Sequence, residues 1–455
     1  MRKYLLASIV LVLAQVVSAQ VAPPSARPNV IVFVADDLGY ADIGAQRVAK
    51  DVKTPNIDAI ATAGTRFTNG YVTCPICSPS RAGLLSGRYQ TRFGHEFNPG
   101  QREVPNFGLP LDQLTLAQAM KSAGYTTGAI GKWHLGYTPE MHPQKRGFDE
   151  FFGFLGGSHS YVDVGPGRLP NNELRRGDTL LKTVTYLTDD FGREGADFVD
   201  RHANDGRPFF LYFAFNAVHV PQQAPQKYLD RFKGESNEKR LMLLAMLSAM
   251  DDAIGEVLGK LREHKVEDNT LIVFISDNGG PTQHNSSRNE PLRGRKSQML
   301  EGGIRVPYMM QWNGHIPAGK VYDKPVISLD IFPTALAAAG ANAPEKVKLD
   351  GVNLLPFLKG ESELSPHESL YWRIGSHWAI RDGNLKLVNQ PGEGTRLYDL
   401  AADLGETKDL SEARPQDRKR LQEKYDAWNV QNTEARWPPQ NPKKGGAAAD
   451  DAADG

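Results

Sequence analysis

The sequence predicts an α/β fold: a large, mixed but mostly parallel β-sheet flanked by helices, then a small antiparallel sheet with one helix. Three observations lead there. Apolar, β-rich runs occur without the polar alternation of a half-exposed sheet, which marks strands covered on both faces. Helical patterns lie between those runs, the order that builds parallel sheets. Past about Pro356 the chain changes to short strand-like pieces separated by turns.

Taken in order, Asn29–Ala35 is a continuous apolar strand that runs into Asp36-Asp37. Thr115-Leu116-Ala117-Gln118 fits a capping box. Leu116, Ala119, Met120 and Ala123 then share one helix face, and Gly124 is the stop. Residues 126–130 form a second strand, followed by Gly131-Lys132-Trp133-His134. Residues 209–215 form a third, followed by Asn216 and His219. Residues 241–261 read as a long helix whose Met242, Met246 and Met250 recur every four residues, a core stripe. Thr270–Ser276 is a fourth strand, followed by Asp277-Asn278. Residues 369–373, 378–381, 385–388 and 396–400 are short strands, and Pro415–Asn429 is a helix. The expected division is a leader over 1–19, a large domain over 28–356, a small one over 357–437, and a disordered Pro/Gly/Ala/Asp tail over 438–455.

The 455 residues suffice for a large core. Lys and Arg total 53, as do Asp and Glu, so the formal net charge is zero. That excludes the basic excess of a nucleic-acid binder, and an anion site must gather its positive charge locally. Arg2 and Lys3, an apolar run over 5–14 and Val17-Ser18-Ala19 make a secretory leader cleaved near Ala19. The run is too short to span a bilayer comfortably, so an exported chain, periplasmic or secreted, with no stable membrane anchor is expected. The two cysteines, Cys74 and Cys77, exclude a disulfide scaffold. Their C-x-x-C spacing is open between a redox pair and half a zinc site, with no second pair to complete the latter.

Ligands of parallel sheets bind beyond the carboxyl ends of the strands. The pattern therefore gathers Asp36, Asp37, Lys132, His134, His219, Asp277 and Asn278 into one crevice. Either Asp pair alone is as easily a helix cap or turn former. Together they offer three carboxylates and an amide oxygen, hard donors that suit Ca²⁺ or Mg²⁺. Lys132, His134, His219 and Lys296 are candidate proton carriers and anion binders. Cys77 is placed just before a short helix over 80–86, where the helix dipole favours an anionic nucleophile and Arg81 meets an anion. Thr91 to Arg102 is expected to line the pocket, with His95, Glu96 and Asn98 facing a sugar, and His142, His159 and Tyr161 lie in another rim loop.

The segment Pro75-Ile76-Cys77-Ser78-Pro79-Ser80-Arg81-Ala82-Gly83-Leu84-Leu85-Ser86-Gly87 resembles the first signature of the type I sulfatases, and 124–134 resembles the second. Asp36-Asp37-Leu38-Gly39, Ala217-Val218-His219-Val220-Pro221, Asp277-Asn278-Gly279-Gly280 and Glu301-Gly302-Gly303-Ile304-Arg305-Val306-Pro307 follow in the same order. The resemblance spans about 28–410. It implies an alkaline-phosphatase-like fold and hydrolysis of sulfate esters, with a sulfated polysaccharide or oligosaccharide as the expected substrate of an exported enzyme. It implies that Cys77 is oxidised to formylglycine by a formylglycine-generating or anaerobic sulfatase-maturating enzyme. It implies one Ca²⁺ held by Asp36, Asp37, Asp277, Asn278 and the modified Cys77.

In the implied mechanism Ca²⁺ and Arg81 favour ionisation of one hydroxyl of the hydrated aldehyde, which attacks sulfur, while Lys132, Lys296 and the metal neutralise the sulfate oxygens. His219, with Lys296, serves the leaving alcohol, and His134 takes a proton as sulfate departs. Phosphonate or phosphate ester hydrolysis by a relative, and glycan binding without catalysis, are the competing readings. Ser86, Arg295-Lys296-Ser297 and Asp409 depart from the commoner family residues without removing a catalytic group.

Overall fold

The computed structural model describes residues 27–100, 104–165 and 172–439. The predicted leader, and the predicted tail from residue 440, lie outside the described residues. The main sheet has ten strands: β1 (Asn29–Ala35), β2 (Thr65–Phe67), β4 (Thr126–Lys132), β5 (Glu150–Phe154), β6 (Arg175–Arg176), β7 (Thr179–Leu180), β8 (Phe209–Ala214), β9 (Thr270–Ser276), β10 (Tyr308–Gln311) and β11 (Lys320–Tyr322). A separate pair joins β3 (Gly70–Tyr71) to β12 (Val326–Ile327). The spatial order is β11-β2-β10-β9-β1-β8-β4-β5-β6-β7. The central five, β9-β1-β8-β4-β5, are all parallel. β10 pairs antiparallel with both β9 and β2, and β6 with both β5 and β7.

The apolar strands are buried on both faces, as their lack of alternation requires. Val30, Val32 and Val34 of β1 enter one core layer, and Ile31, Phe33 and Ala35 enter the other. Helices Leu187–His202 and Glu238–Glu263 cover the second layer. Helix Leu116–Ser122 covers the first and carries the predicted capping box of Thr115 and Gln118. Met246 and Met250 are fully buried in the second layer, and Met242 packs against it, as the stripe predicts.

The bounds differ from the sequence reading in ways that matter for the site. β4 runs two residues further than expected, so Lys132 is its last residue. The nucleophile helix is Cys77–Ser86, so Cys77 is its first residue. Its N-cap, Ile76, has no side chain able to accept a bond, which leaves the first N–H groups to be met from elsewhere.

The small sheet is an antiparallel meander of β13 (Ser369–Ile374), β14 (His377–Asp382), β15 (Leu385–Gln390) and β16 (Gly394–Asp399), with helix Pro415–Asn429 against it. It shares a core with the segment before the nucleophile helix. Tyr71, Cys74 and Ile76 pack in one cluster with Trp372, Leu387 and Trp428. Buried charge crosses the same boundary. Lys386 on β15 lies 2.9 Å from Glu301 and 2.8 Å from Glu406, all three side chains being inaccessible to solvent. One lysine cannot fully neutralise two carboxylates. Burial raises the Glu301 carboxyl, but Lys386, Arg305 and Arg381 outweigh it and hold it down at about 2. Burial and the Glu301 charge push Glu406 up to about 7, against the pull of Lys386.

A group bound to a proton more tightly in the folded chain loses stability as pH rises between its unfolded and folded values. For Glu406 that window runs from 4.5 to about 7. Glu406→Gln keeps the neutral shape and removes the titration. Urea denaturation across that range is expected to show wild-type stability falling with pH relative to Glu406→Gln, and parallel curves would contradict the assignment.

Candidate active site

The five parallel strands end on one side of the sheet, and the last residues or following turns of four of them supply the site. β1 gives Asp36 and Asp37, β4 gives Lys132 and His134, β8 gives His219, and β9 gives Asp277 and Asn278. Cys77 and Arg81 come from the nucleophile helix, and Lys296 from the loop before Glu301. All ten are buried. The strand-end residues expected to converge are brought together, and Cys77, Arg81 and Lys296 join them.

Two ion-pair groups share this space. Arg81 places Nε and Nη2 on Asp277 Oδ2 at 2.9 and 2.7 Å, and its Nη1 reaches the Lys132 carbonyl at 3.2 Å. Lys132 Nζ lies 2.7 Å from Asp36 Oδ2. On the other side, Lys296 Nζ lies 3.1 Å from Asp37 Oδ1 and 3.4 Å from His219 Nε2. His219 Nε2 lies 3.6 Å from Asp37 Oδ2, and Nδ1 meets the Val220 carbonyl at 2.7 Å. Asn278 donates to Asp37 Oδ1 at 2.7 Å. Cys77 Sγ stands 3.5 Å from Asp36 Oδ1. Ligand atoms of Asp36, Asp37, Cys77 and His219 all lie within 4.8 Å of one another.

Electrostatics follow from this packing. Burial pushes the Asp277 carboxyl up to about 6, with Asp36 adding repulsion and Arg81 opposing both. Burial would also raise Asp37, but Lys296, His219, Asn278 and Lys132 bring it down to about 2. Burial lowers the basicity of His134, and Lys132 and Arg81 lower it further, so its imidazole is neutral. Burial raises the Cys77 thiol well above its ordinary value, although Lys132 and Lys296 pull the other way. The helix dipole expected to activate an anionic sulfur is thus overridden, and the unmodified side chain is a protonated thiol.

Loop geometry sets these residues. Asp37 and His134 both have positive φ, at 60° and 57°, a conformation that non-glycine residues keep only when neighbours impose it. The Asp37 N–H donates to Asp277 Oδ1 at 3.3 Å. The His134 N–H donates to the Leu155 carbonyl at 3.0 Å, and its own carbonyl accepts from Ser78 Oγ at 2.6 Å. Within β4, Gly131 (φ 100°) leaves no room for a side chain, since a Cβ there would sit 1.8 Å from the Ala214 carbonyl oxygen of β8. The Lys296 loop is tied to the cysteine loop by Ser297 N–H to the Pro75 carbonyl at 2.9 Å.

The residues expected to face a sugar have other neighbours. His95 Nε2 lies 2.7 Å from Ser78 Oγ. Asn98 Oδ1 accepts the Ser78 N–H at 3.1 Å and so serves the uncapped nucleophile helix. Glu96 accepts from Arg373 at 2.5 Å and from the Gly375 N–H at 2.9 Å, an attachment to the small sheet. The Tyr161 hydroxyl meets the carbonyls of Asn216 and His219 at 2.5 and 2.9 Å and holds the His219 turn from behind. His142 accepts from the Gln144 N–H and packs edge-on against Phe151. His159 is buried against Phe154, its Nδ1 2.7 Å from the Ser160 carbonyl and its Nε2 without a partner among the described residues.

Two residues were not singled out from the sequence. Ser78 lies inside the cysteine signature, but its role depends on partners far along the chain. Asn289 fixes the loop after β9, accepting from Gly280 and Tyr40 N–H groups and donating to the Gly280 and Gly294 carbonyls. Asparagine in a loop carries no signal for that.

Comparison with known proteins fits this geometry. A family model described as Sulfatase matches residues 28–341. A second, described as N-sulphoglucosamine sulphohydrolase, C-terminal, matches 295–429. Human N-acetylgalactosamine-6-sulfatase is 36% identical over 369 residues, covering 76% of this chain and 68% of that one. An uncharacterized sulfatase, YdeN, of Escherichia coli (strain K12) is 32% identical over 403 residues, covering 77% and 70%. The solved structure of Ps i-CgsB in complex with k-i-k-neocarrahexaose superposes with a TM-score of 0.86 at 37% identity, covering 92% of this chain and 96% of that one. The chain belongs to the sulfatase family, hydrolases of sulfuric esters within the alkaline phosphatase superfamily.

Proposed function

We propose that this protein removes sulfate from a sulfated oligosaccharide or polysaccharide, using Cys77 matured to formylglycine and a calcium ion at the carboxylate cluster. The observation that carries the reading is the convergence of Arg81, Lys132 and Lys296 on Asp36, Asp37 and Asp277 around Cys77. The sugar is suggested by the relatives, one a sulfatase of N-acetylgalactosamine 6-sulfate and one solved with k-i-k-neocarrahexaose.

The donor set fits a hard cation. Asp36, Asp37, Asp277 and Asn278 would hold it, and the buried Asn278 Oδ1 has no partner among the described residues. When bound, calcium supplies Lewis acidity beside residue 77, and the hydrated formylglycine supplies a hydroxyl nucleophile that the buried thiol does not. Lys132 and Lys296 each present an ammonium group that binds and neutralises sulfate oxygens. Arg81 is fixed by Asp277 and contributes its charge without moving. His219 is oriented by the Val220 carbonyl so that Nε2 serves the departing alcohol oxygen. The neutral His134 accepts a proton during sulfate release.

His159 is kept as a candidate for substrate binding, its Nε2 being buried without a protein partner among the described residues. A formylglycine-generating or anaerobic sulfatase-maturating enzyme would oxidise Cys77. Export after cleavage near Ala19 completes the reading; among the described residues, no helix is long and apolar enough to cross a membrane.

Peptide mass spectrometry of protein from its native host is expected to find the aldehyde at residue 77, and Cys77→Ala is expected to reduce sulfate release to background. An unmodified thiol in active enzyme would refute the formylglycine step. Chelation should abolish turnover and lower the melting temperature, with Ca²⁺ restoring both; full activity in metal-free protein would refute the cation site. His219→Ala should lower kcat by about 10²–10⁴-fold on a sulfated sugar and much less on nitrophenyl sulfate, whose leaving group needs no proton. Equal losses on both would remove His219 from that role. A panel of carrageenan oligosaccharides, N-acetylgalactosamine 6-sulfate, aryl sulfates and aryl phosphonates tests the substrate class, and preference for the phosphonates would overturn it.

A further inference from the structure

The far end of the described chain returns to the loop 91–98, which follows helix Cys77–Ser86. After helix Pro415–Asn429, Asn432 Oδ1 accepts from Thr91 Oγ1 at 3.0 Å, and the Thr433 N–H donates to the Thr91 carbonyl at 3.0 Å. The Arg436 N–H donates to the Gly94 carbonyl at 2.9 Å. Trp437 donates its indole N–H to the carbonyls of Phe97 and Asn98, at 3.2 and 3.1 Å. Its ring meets His95 edge-on at 4.8 Å between centroids and stacks on Phe107 at 5.2 Å. Trp437 is buried, although the residues around it in sequence are largely exposed. The fit is close: a Cβ on Gly94 would lie 2.4 Å from the Glu434 carbonyl oxygen.

The loop held in this way reaches the residue beside Cys77. The Ser78 hydroxyl has one proton. It lies 2.6 Å from the His134 carbonyl, which can only accept, so the proton goes there. Ser78 Oγ must then accept from His95 Nε2 at 2.7 Å, which fixes the His95 tautomer as Nε2–H. The same loop's Asn98 accepts the Ser78 N–H.

We propose that Asn432–Trp437 is a positioning strap: through Trp437, His95 and Ser78 it holds residue 77 and His134 at their mutual spacing, without any of the three touching substrate. Asn98 is the second thread of the same device, satisfying a helix N–H that Ile76 leaves open. His134 needs this hold because its left-handed backbone is fixed on one side by Leu155 and on the other by Ser78. The catalytic part of the proposal rests on the sulfatase reading; the mechanical part does not.

The test uses full-length protein carrying His95→Ala, His95→Gln or Trp437→Phe, with the aldehyde content at residue 77 measured for each. His95→Gln keeps an N–H donor; Trp437→Phe keeps the ring and loses both hydrogen bonds. Two readouts are taken. Hydrogen exchange is expected to rise in peptides spanning 77–81 and 133–136 for His95→Ala and Trp437→Phe, while 29–35 and 270–276 stay protected. On a sulfated sugar, His95→Ala is expected to lower kcat by about 10–10²-fold with KM within about threefold, and His95→Gln to recover most of the loss. Unchanged exchange at both peptides, kcat within about twofold of wild type for His95→Ala, or His95→Gln no better than His95→Ala would each overturn the proposal. Wild-type protein that bears the aldehyde yet releases no sulfate would count against the sulfatase reading alone, and the exchange pattern would still decide the strap.

Discussion

Three carboxylates, Asp36, Asp37 and Asp277, are buried in one crevice, and the rest of the site is arranged around that constraint. Their mutual repulsion has to be met by cations that are equally out of water. Each cation comes from a different part of the chain: Arg81 from a helix, Lys132 from the last residue of β4, Lys296 from a loop. Neutralising the cluster therefore fixes helix, strand and loop relative to one another. The ion pairs shape the site, and the two apolar layers around the sheet supply the stability that lets such a costly cluster stay buried.

The scaffold turns a general property of parallel sheets into particular chemistry. Side chains at the strand ends are tied by ion pairs and hydrogen bonds to one another and to Arg81 and Lys296. At the site, left-handed backbone occurs in the turns that follow, at Asp37 and His134, and beside Lys296 at Ser297. The result is a buried polar cluster whose donors and charges are fixed by one another, the arrangement that favours charge stabilisation over solvent reorganisation.

Much of this was legible in the sequence because it is local. Unbroken apolar runs marked four of the five central strands, β5 being missed, and the polar residues just after those four marked the crevice. The capping box at Thr115 and the methionine stripe fell where their spacing put them. What could not be read depends on partners chosen by the tertiary fold. The outer strands β2, β6, β7, β10 and β11 have two to four residues each, too few to show a period. The loop 91–98 carries His95, Glu96 and Asn98, residue types equally suited to binding sugar or to bonding protein. Nothing nearby in sequence reveals that Ser78, Arg373 and Gly375 take them. The helix dipole at Cys77 was likewise legible, but not the burial that overrides it.

The bond between Trp437 and the Phe97 carbonyl joins residues 340 apart in sequence. During synthesis, Cys77 emerges long before the segment that packs on the loop after its helix. In the finished fold it has no exposure to solvent. A side chain so enclosed is closed to another macromolecule in the finished fold. The proposed oxidation would have to reach Cys77 before the fold has closed around it.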